Sequence, residues 1–283
     1  MTQEGWGATR VVKVVVLLAV IWALDAIGDL LVHGVQLTPS NLSYGFVTAT
    51  AMAVFLAWLV PVVRLKLVSV VLVLWVNLFA VEYMINYIEA LFFTTMFAGS
   101  YLSFVAALLR AAVVSAIVAT AAAFLLGAGG GVADLRSSLR EHISTRTGRS
   151  WVVRFLVAGL AYFPIYFFFG MLVTPFVLPY YNNPAYGLVI PSFSVLIPVE
   201  ILRGFLFVLV LLPLMVALGG GKNTKFAALA AMLYIPGGFV ALFGNTLLPA
   251  AIIPFHGTEI LADSIVYGFV LSRILSSRTR VVP

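Results

Sequence analysis

Long apolar segments, interrupted by few charges, are the feature that most limits how this 283-residue chain can fold. Hydrophobic residues make up 63% of the sequence and charged residues only 9%, whereas soluble domains contain about 25% charged residues. A segment of about 20 mostly apolar residues is long enough to cross a bilayer as a helix. We therefore expect an all-α fold, a polytopic integral membrane helical bundle.

Eight segments of the chain meet this length requirement. They lie near residues 11–33, 44–63, 67–93, 101–126, 151–178, 190–218, 226–250 and 257–275. The longest polar stretch follows the fourth segment, so we divide the chain into a first four-helix transmembrane half (1–126), a cytoplasmic linker (127–150) and a second four-helix transmembrane half (151–283). Four spans on each side of the linker would permit a parallel repeat of the two halves.

The linker itself contains a helical pattern. Val132, Leu135, Leu139 and Ile143 recur at the spacing of one helix face. The pattern predicts a short amphipathic helix, which would lie on the cytoplasmic leaflet or in solvent.

The basic residues predict which side of the membrane each loop occupies. With eight spans, fourteen of the sixteen Lys and Arg residues fall on one side. They are Arg10, Lys13, Arg64, Lys66, Arg136, Arg140, Arg146, Arg149, Arg154, Lys222, Lys225, Arg273, Arg278 and Arg280. Because an excess of basic residues marks the cytoplasmic side, we expect a multi-pass protein of the plasma membrane (the cell membrane) with both termini cytoplasmic.

Composition also limits the classes of ligand and partner. The net charge is +6, but the hydrophobicity argues against a nucleic acid as the main partner and makes membrane lipids the immediate surroundings. The sequence contains no cysteine, which excludes disulfides, thiolate metal sites and cysteine nucleophiles. No cofactor is implied with certainty, and a divalent metal ion is a candidate.

Ionisable residues inside the predicted spans are costly and usually face a cavity or a partner. Apart from Lys13, Arg154 and Arg273 at the cytoplasmic ends of their spans, nine charged residues fall there: Asp25, Asp29, Glu82, Glu89, Arg110, Glu200, Arg203, Glu259 and Asp263. Two arginines cannot neutralise seven acids, so some acids must be protonated, hydrated or bound to a cation. Their positions place them at mid-membrane or in the outer half, which predicts a polar cavity open to the outside.

Three spans carry polar residues at helical spacing. The three stripes are Asp25 with Asp29 and His33, Glu82 with Asn86 and Glu89, and His256 with Glu259 and Asp263. Asp, Glu and His are ligands for divalent cations, so we consider a metal site formed by His256, Glu259, Asp263 and His33. Proton relay is the second interpretation, and ordinary helix-end polarity is the third for the members nearest the interface.

Two further features have open interpretations. Glu200 and Arg203 lie three residues apart on the sixth span. They form an ion pair within the helix in one interpretation, and Arg203 binds an anion or a carboxylate in the other. For Arg110, one interpretation is an ion pair with an acid of the third span, and the other is a side chain that extends toward the membrane interface. Pro236-Gly237-Gly238 predicts a broken or kinked seventh span.

Three functional hypotheses follow. The first is a secondary transporter or an ion- or proton-coupled permease for a small-molecule or ion substrate. The second is an intramembrane metal-dependent hydrolase acting at the outer leaflet, and the third is a non-catalytic subunit of a larger membrane complex. The sequence leaves enzymatic activity undecided, and it permits a partner subunit or a homo-oligomer.

Overall fold

The chain forms a bundle of long helices, as the sequence predicts. The structure, a computed structural model, describes residues 7–32, 38–97, 100–128, 130–243 and 248–276. Asp29, Leu31 and Val32 are described by their backbone only. Within these ranges there are isolated β-bridges but no β-strand, and the all-α polytopic fold is confirmed.

The first half contains four helical spans. They are α1 (Ala8–Val32), α2 (Pro39–Leu59), a third span made of α3 (Leu67–Asn77), a π-helical segment (Leu78–Met84) and α4 (Ile85–Phe93), and α5 (Tyr101–Leu125). The predicted linker helix is present as α6 (Leu135–Ser144).

The second half contains the remaining helices. They are α7 (Gly148–Tyr181), α8 (Phe193–Ala217), a seventh span made of α9 (Lys222–Tyr234), a π-helical segment (Ile235–Val240) and α10 (Ala241–Phe243), and finally α11 (Ile253–Ile274). The π-helical segment begins beside Pro236. The expected break is therefore a local widening of the helix at Ile235–Val240, and the helix continues to Phe243.

Seven described helices are long and apolar enough to cross a membrane. The eighth predicted span corresponds to α11, which is 22 residues long but is not among the seven. Its carboxylates Glu259 and Asp263 lower its mean hydropathy. Even so, α11 runs antiparallel to α7 along its length, since Phe255 stacks on Phe176 and the Tyr267 hydroxyl donates to Ala158 O.

The two halves show the same order of packing. In the first half, α1 packs against α2 and α5, and the third span packs against α5. In the second half, α7 packs against α8 and α11, and the seventh span packs against α11. Between the halves, α2 contacts the seventh span, the third span contacts α8, and the two π-helical segments contact each other.

Short backbone contacts join the two halves at their predicted cytoplasmic ends. Arg64 N donates to Ala217 O at 2.8 Å, and Gly219 N donates to Val62 O at 2.9 Å. These bonds connect the residues that follow α2 to those that follow α8, which are equivalent positions in the packing order.

Helix α6 lies against the bundle through Leu135 of the predicted apolar stripe and through His142, which lies outside that stripe. His142 is buried, and its Nε2 lies 2.9 Å from Leu275 O at the end of α11. Nearby, Arg146 donates to Ser276 O and Arg154 donates to Ile274 O. In contrast, Val132 and Ile143 are exposed. The helix therefore caps the last turn of α11, where cationic side chains are favourable.

The pH should modulate this cap. Burial lowers the pKa of His142 below its ordinary value near 6.5, and the charges of Lys225 and Arg146 act in the same direction against the hydrogen bond with Leu275. A depressed histidine pKa means that the unfolded segment binds more protons, so the contact is fully present above pH 6.5 and weakens as pH falls below it. We expect faster hydrogen exchange in α6 at pH 5.5 than at pH 7.5, after correction for intrinsic rates. His142→Gln should lack this change, and an equal change in both proteins would contradict the assignment.

Close packing between α7 and α8 depends on two glycines. A Cβ at Gly204 would lie 2.2 Å from Gly159 O and 2.7 Å from the Cβ of Tyr162. Gly204→Ala should therefore force the helices apart and cost about 1–3 kcal/mol of stability. The thermal unfolding midpoint in mild detergent measures this loss. Gly148→Ala is the control, because a Cβ at Gly148 meets no atom within 4 Å, and equal midpoints for the two variants would contradict the close approach.

Candidate functional site

A cavity of about 190 Å³ lies among the third, fifth, sixth, seventh and eighth spans. The volume is more than ten times the ~15 Å³ that one water needs. Its polar lining is provided by Asn86, Glu89, Thr94, Tyr162, Tyr166, Tyr181, Arg203, His256, Glu259, Asp263, Ser264 and Tyr267. We call it the large cavity. Phe93, Thr94 and His256 lie at the predicted outer ends of their helices, and Tyr267 lies at the deep end.

Below the deep end, the bundle is closed by apolar packing. Tyr267 is fully buried, and its hydroxyl lies 3.1 Å from Ala158 O and from Gly204 O, which share its single hydrogen. Toward the predicted cytoplasmic side, Leu211 and Leu271 are fully buried. The cavity therefore extends toward one end of the bundle only, as far as the described residues show.

Arg203 is the charged centre of the large cavity. Its Nη2 lies 2.7 Å from Glu89 Oε2 on α4, and its Nη1 lies 2.7 Å from Glu200 Oε2 one turn earlier on α8. Its guanidinium carbon lies 5.6 Å from the ring centre of Tyr162 and 5.7 Å from that of Tyr166. The contacts support the ion-pair interpretation, because both terminal nitrogens of Arg203 are occupied by carboxylates.

The local sequence explains this arrangement. Gly159 and Gly204 bring α7 and α8 into backbone contact, and Arg203 directly precedes Gly204. The guanidinium is thereby placed beside the tyrosines of α7, where burial strengthens attraction to an aromatic face. Tyr166 also donates a hydrogen bond of 3.3 Å to Glu89 Oε1.

A second acidic group lines the wall of the same cavity. His256 Nδ1 lies 2.8 Å from Glu259 Oε2, and His256 Nε2 lies 3.4 Å from the Tyr181 hydroxyl. One turn deeper, Asp263 is buried, and its Oδ1 has no hydrogen-bond partner among the described residues. A polar atom in this condition is favourable only when a proton, water or ligand satisfies it.

The charge balance of the large cavity is negative. Glu89, Glu259 and Asp263 line it, and Glu200 contacts it through Arg203. Four carboxylates therefore face one permanent cation, in a region where uncompensated charge is expensive.

The metal hypothesis stays a prediction. Within the described residues, no group of three or more His, Asp or Glu side chains is arranged to hold a metal ion. His256 and Glu259 form a pair, and Asp263 lies one turn deeper without joining it. His33 lies outside the described residues, as does the side chain of Asp29.

A second, much smaller cavity is lined by Asp25 and Glu82, apart from the acids of the large cavity. It measures about 20 Å³ and is lined by Ile21, Asp25, Thr48, Met52, Leu78, Glu82, Tyr83, Val114, Ser115, Val118 and Val240. We call it the small cavity. The predicted single polar region is thus divided in two, with Asp25 and Glu82 on one side.

Contact between the π-helical segments forms the division. A Cβ at Gly237 would lie 2.9 Å from Val81 Cγ1, so the two segments touch directly. Asn86 joins them on the outer side, since its Nδ2 donates to Glu82 O at 2.9 Å and to Gly237 O at 2.8 Å. Such π-helical turns frequently occur at functional sites.

Arg110 lines neither cavity. A Cβ at Gly28 would lie 2.9 Å from Arg110 Nη1, so this side chain packs against α1.

Sequence reasoning missed most of the hydroxyl-bearing residues of both cavities. The candidate residues from the sequence include none of Tyr162, Tyr166, Tyr267, Ser115 and Thr48. The spacing of Tyr162 and Tyr166, four residues apart, is the signal that could have identified them, because such residues share a helix face.

Comparisons with known proteins give no assignment. No family model matches the chain, and no match was found among curated proteins or solved structures. The functional argument therefore depends on the geometry of the two cavities.

The Arg203–Glu200 pair should show strong energetic coupling. Arg203→Met leaves Glu200 buried with no opposite charge, and loss of one partner of a buried pair costs about 3–5 kcal/mol. Adding Glu200→Met should recover only part of that loss, because the fully buried unpaired acid is then removed while Glu89 still lacks its partner. Thermal midpoints of the two single variants and the double variant measure the coupling. Exposed Arg140→Ala is the control for loss of an arginine, and strictly additive losses would contradict the pairing.

Proposed function

We propose that the protein is a secondary transporter whose substrate is a small organic cation. The observation that carries the proposal is the large cavity, a membrane-embedded space with four carboxylates around one guanidinium. A cationic substrate would compensate the excess negative charge, and the surrounding tyrosine faces favour a cation by their quadrupoles.

The size and closure of the cavity support transport over simple binding of an ion. A volume of about 190 Å³ accommodates a small molecule. With the predicted orientation, the cavity extends to the outside and is closed below Tyr267 by apolar packing. Alternating access requires a second state open to the cytoplasm, and rocking of one half against the other would provide it.

The repeated packing order also supports the proposal. Parallel repeats related by an axis along the membrane normal occur in transporters. We propose that residues 1–126 and 151–283 form two such halves, and that residues 127–150 link them in the cytoplasm. A rearrangement at the contact between the π-helical segments would then change both cavities.

Two alternatives predict different outcomes. A metal-dependent hydrolase is favoured by the His256–Glu259 contact, and it requires about one transition metal per chain that is lost in His256→Ala. A non-catalytic subunit requires a fixed partner that copurifies with the chain. Elemental analysis of the purified protein tests the first alternative. Identification of any protein that copurifies with it tests the second.

Uptake into liposomes tests the transport proposal. We expect liposomes containing the purified protein to accumulate radiolabelled choline, a permanent cation, under an imposed pH gradient, and not radiolabelled lactate. Asp263→Asn should reduce uptake at least tenfold, because it removes a buried negative charge from the cavity wall. Glu141→Gln, on the exposed face of α6, is the control and should retain full uptake. Equal entry of lactate, or cation uptake no faster than in protein-free liposomes, would refute the proposal.

A further inference from the structure

We infer that the corner between α6 and α7 is a binding site for an anionic phospholipid. The site consists of three exposed arginines, Arg136, Arg140 and Arg149, together with Ile143 and Trp151. We call it the arginine corner. None of its residues lines either cavity, and the inference does not depend on the proposed transport function.

Basic charge at this end of the bundle has little compensation from the protein. Twelve of the fourteen basic residues predicted for the cytoplasmic side are described, whereas the described acids at the same end are Asp134 and Glu141. The side chains of Arg136, Arg140 and Arg149 form no ion pair within the described part of the chain. Their charges are therefore available to an anionic partner.

Helix α6 has different chemistry on its packed and outward faces. Leu135 and buried His142 lie on the face that packs against the bundle. Ser137, Glu141 and Ser144 lie roughly opposite that face, and all three are exposed. The outward face is therefore polar throughout and suits contact with water.

One flank of the helix, between those two faces, combines positive charge with an exposed apolar side chain. It consists of Arg136, Arg140 and Ile143, at i, i+4 and i+7. Ile143 is 48% exposed. Arginines beside an exposed apolar residue are typical of a helix at a membrane surface, where the charges meet headgroups and the apolar group enters the acyl boundary.

Helix α7 places this flank at the level of the membrane surface. Trp151 Nε1 donates to Ile143 O at 2.7 Å, so the last turn of α6 contacts the first turn of α7. Val152 and Val153 follow directly, and both are more than half exposed, as residues that face lipid are. Because tryptophan prefers the membrane interface, Arg149, two residues before Trp151, lies in the headgroup layer.

Charge and position together favour a phospholipid over other anionic partners. A soluble anion would contact the arginines but would leave Ile143 and the first turn of α7 uncovered. A phospholipid with net negative charge presents its headgroup to Arg140 and Arg149 and its acyl chains to Val152 and Val153. Basic residues beside a transmembrane helix attract such lipids.

Native mass spectrometry of the purified full-length protein, titrated with lipid in neutral detergent, tests the site. We expect the first phosphatidylglycerol to bind at least tenfold more tightly than phosphatidylcholine with the same acyl chains. Arg140→Gln and Arg149→Gln should each weaken phosphatidylglycerol binding about fivefold, as expected for one basic residue near an anionic surface. Arg140→Lys and Arg149→Lys should retain most of the affinity, because the charge remains.

Lys222→Gln is the matched control, because it removes an exposed basic residue from the same end of the bundle but outside the arginine corner. Its affinity for phosphatidylglycerol should stay within twofold of wild type. Three results would overturn the inference: equal affinity for the two lipids, a loss in Lys222→Gln as large as in Arg149→Gln, or displacement of phosphatidylglycerol by soluble glycerol phosphate. An acidic protein that copurifies with wild type and is lost in Arg149→Gln, without any lipid preference, would assign the surface to that protein instead.

Discussion

Compensation of buried carboxylates is the constraint on which the rest of this structure depends. In hydrocarbon, an acid needs an opposite charge, a proton, water or a bound cation, because solvation by bulk water is lost. Arg203 provides one opposite charge between Glu89 and Glu200, with contacts of 2.7 Å to each, and leaves the set with an excess of negative charge. Since Glu89 belongs to α4 and Glu200 to α8, the same contact also joins the two halves of the chain.

The backbone makes that compensation possible. Arg203 reaches both acids from a position where α7 and α8 are in direct contact, and only glycine allows such an approach at Gly159 and Gly204. The close contact of the two helices and the pairing of Arg203 with its acids therefore depend on each other in this region. Separating the helices would expose the guanidinium to lipid and would also move Tyr162 away from it.

The sequence predicts the helices well and the cavities only in part. Hydropathy identifies the spans, because the bilayer imposes a length that leaves a strong signal in the sequence, and the sidedness inferred from the basic residues stays a prediction. The stripe of His256, Glu259 and Asp263 was also visible, and all three line the large cavity. However, a helical stripe shows only which residues share a face. It does not show which other helix that face meets.

The division into two cavities was not predictable for that reason. It depends on a contact between Val81 and Gly237, which are 156 positions apart, and on two π-helical segments whose widened turns rotate the residues that follow. Proline and glycine marked the segment at Ile235–Val240, but the segment at Leu78–Met84 contains neither residue. Its geometry is a consequence of tertiary packing, which local sequence rules do not capture.

The two halves share a packing order but differ in the chemistry of their interiors. In the second half, α8 contributes an arginine with its own acid, and α7 adds tyrosine rings, so the space between the helices is wide and polar. In the first half, α2 contributes Thr48 and α5 contributes Ser115 around a space of about 20 Å³. The seventh span lines both spaces, through Val240 in the small cavity and through Gly237 and Gly238 in the large one, so a change in the shape of this segment reaches both.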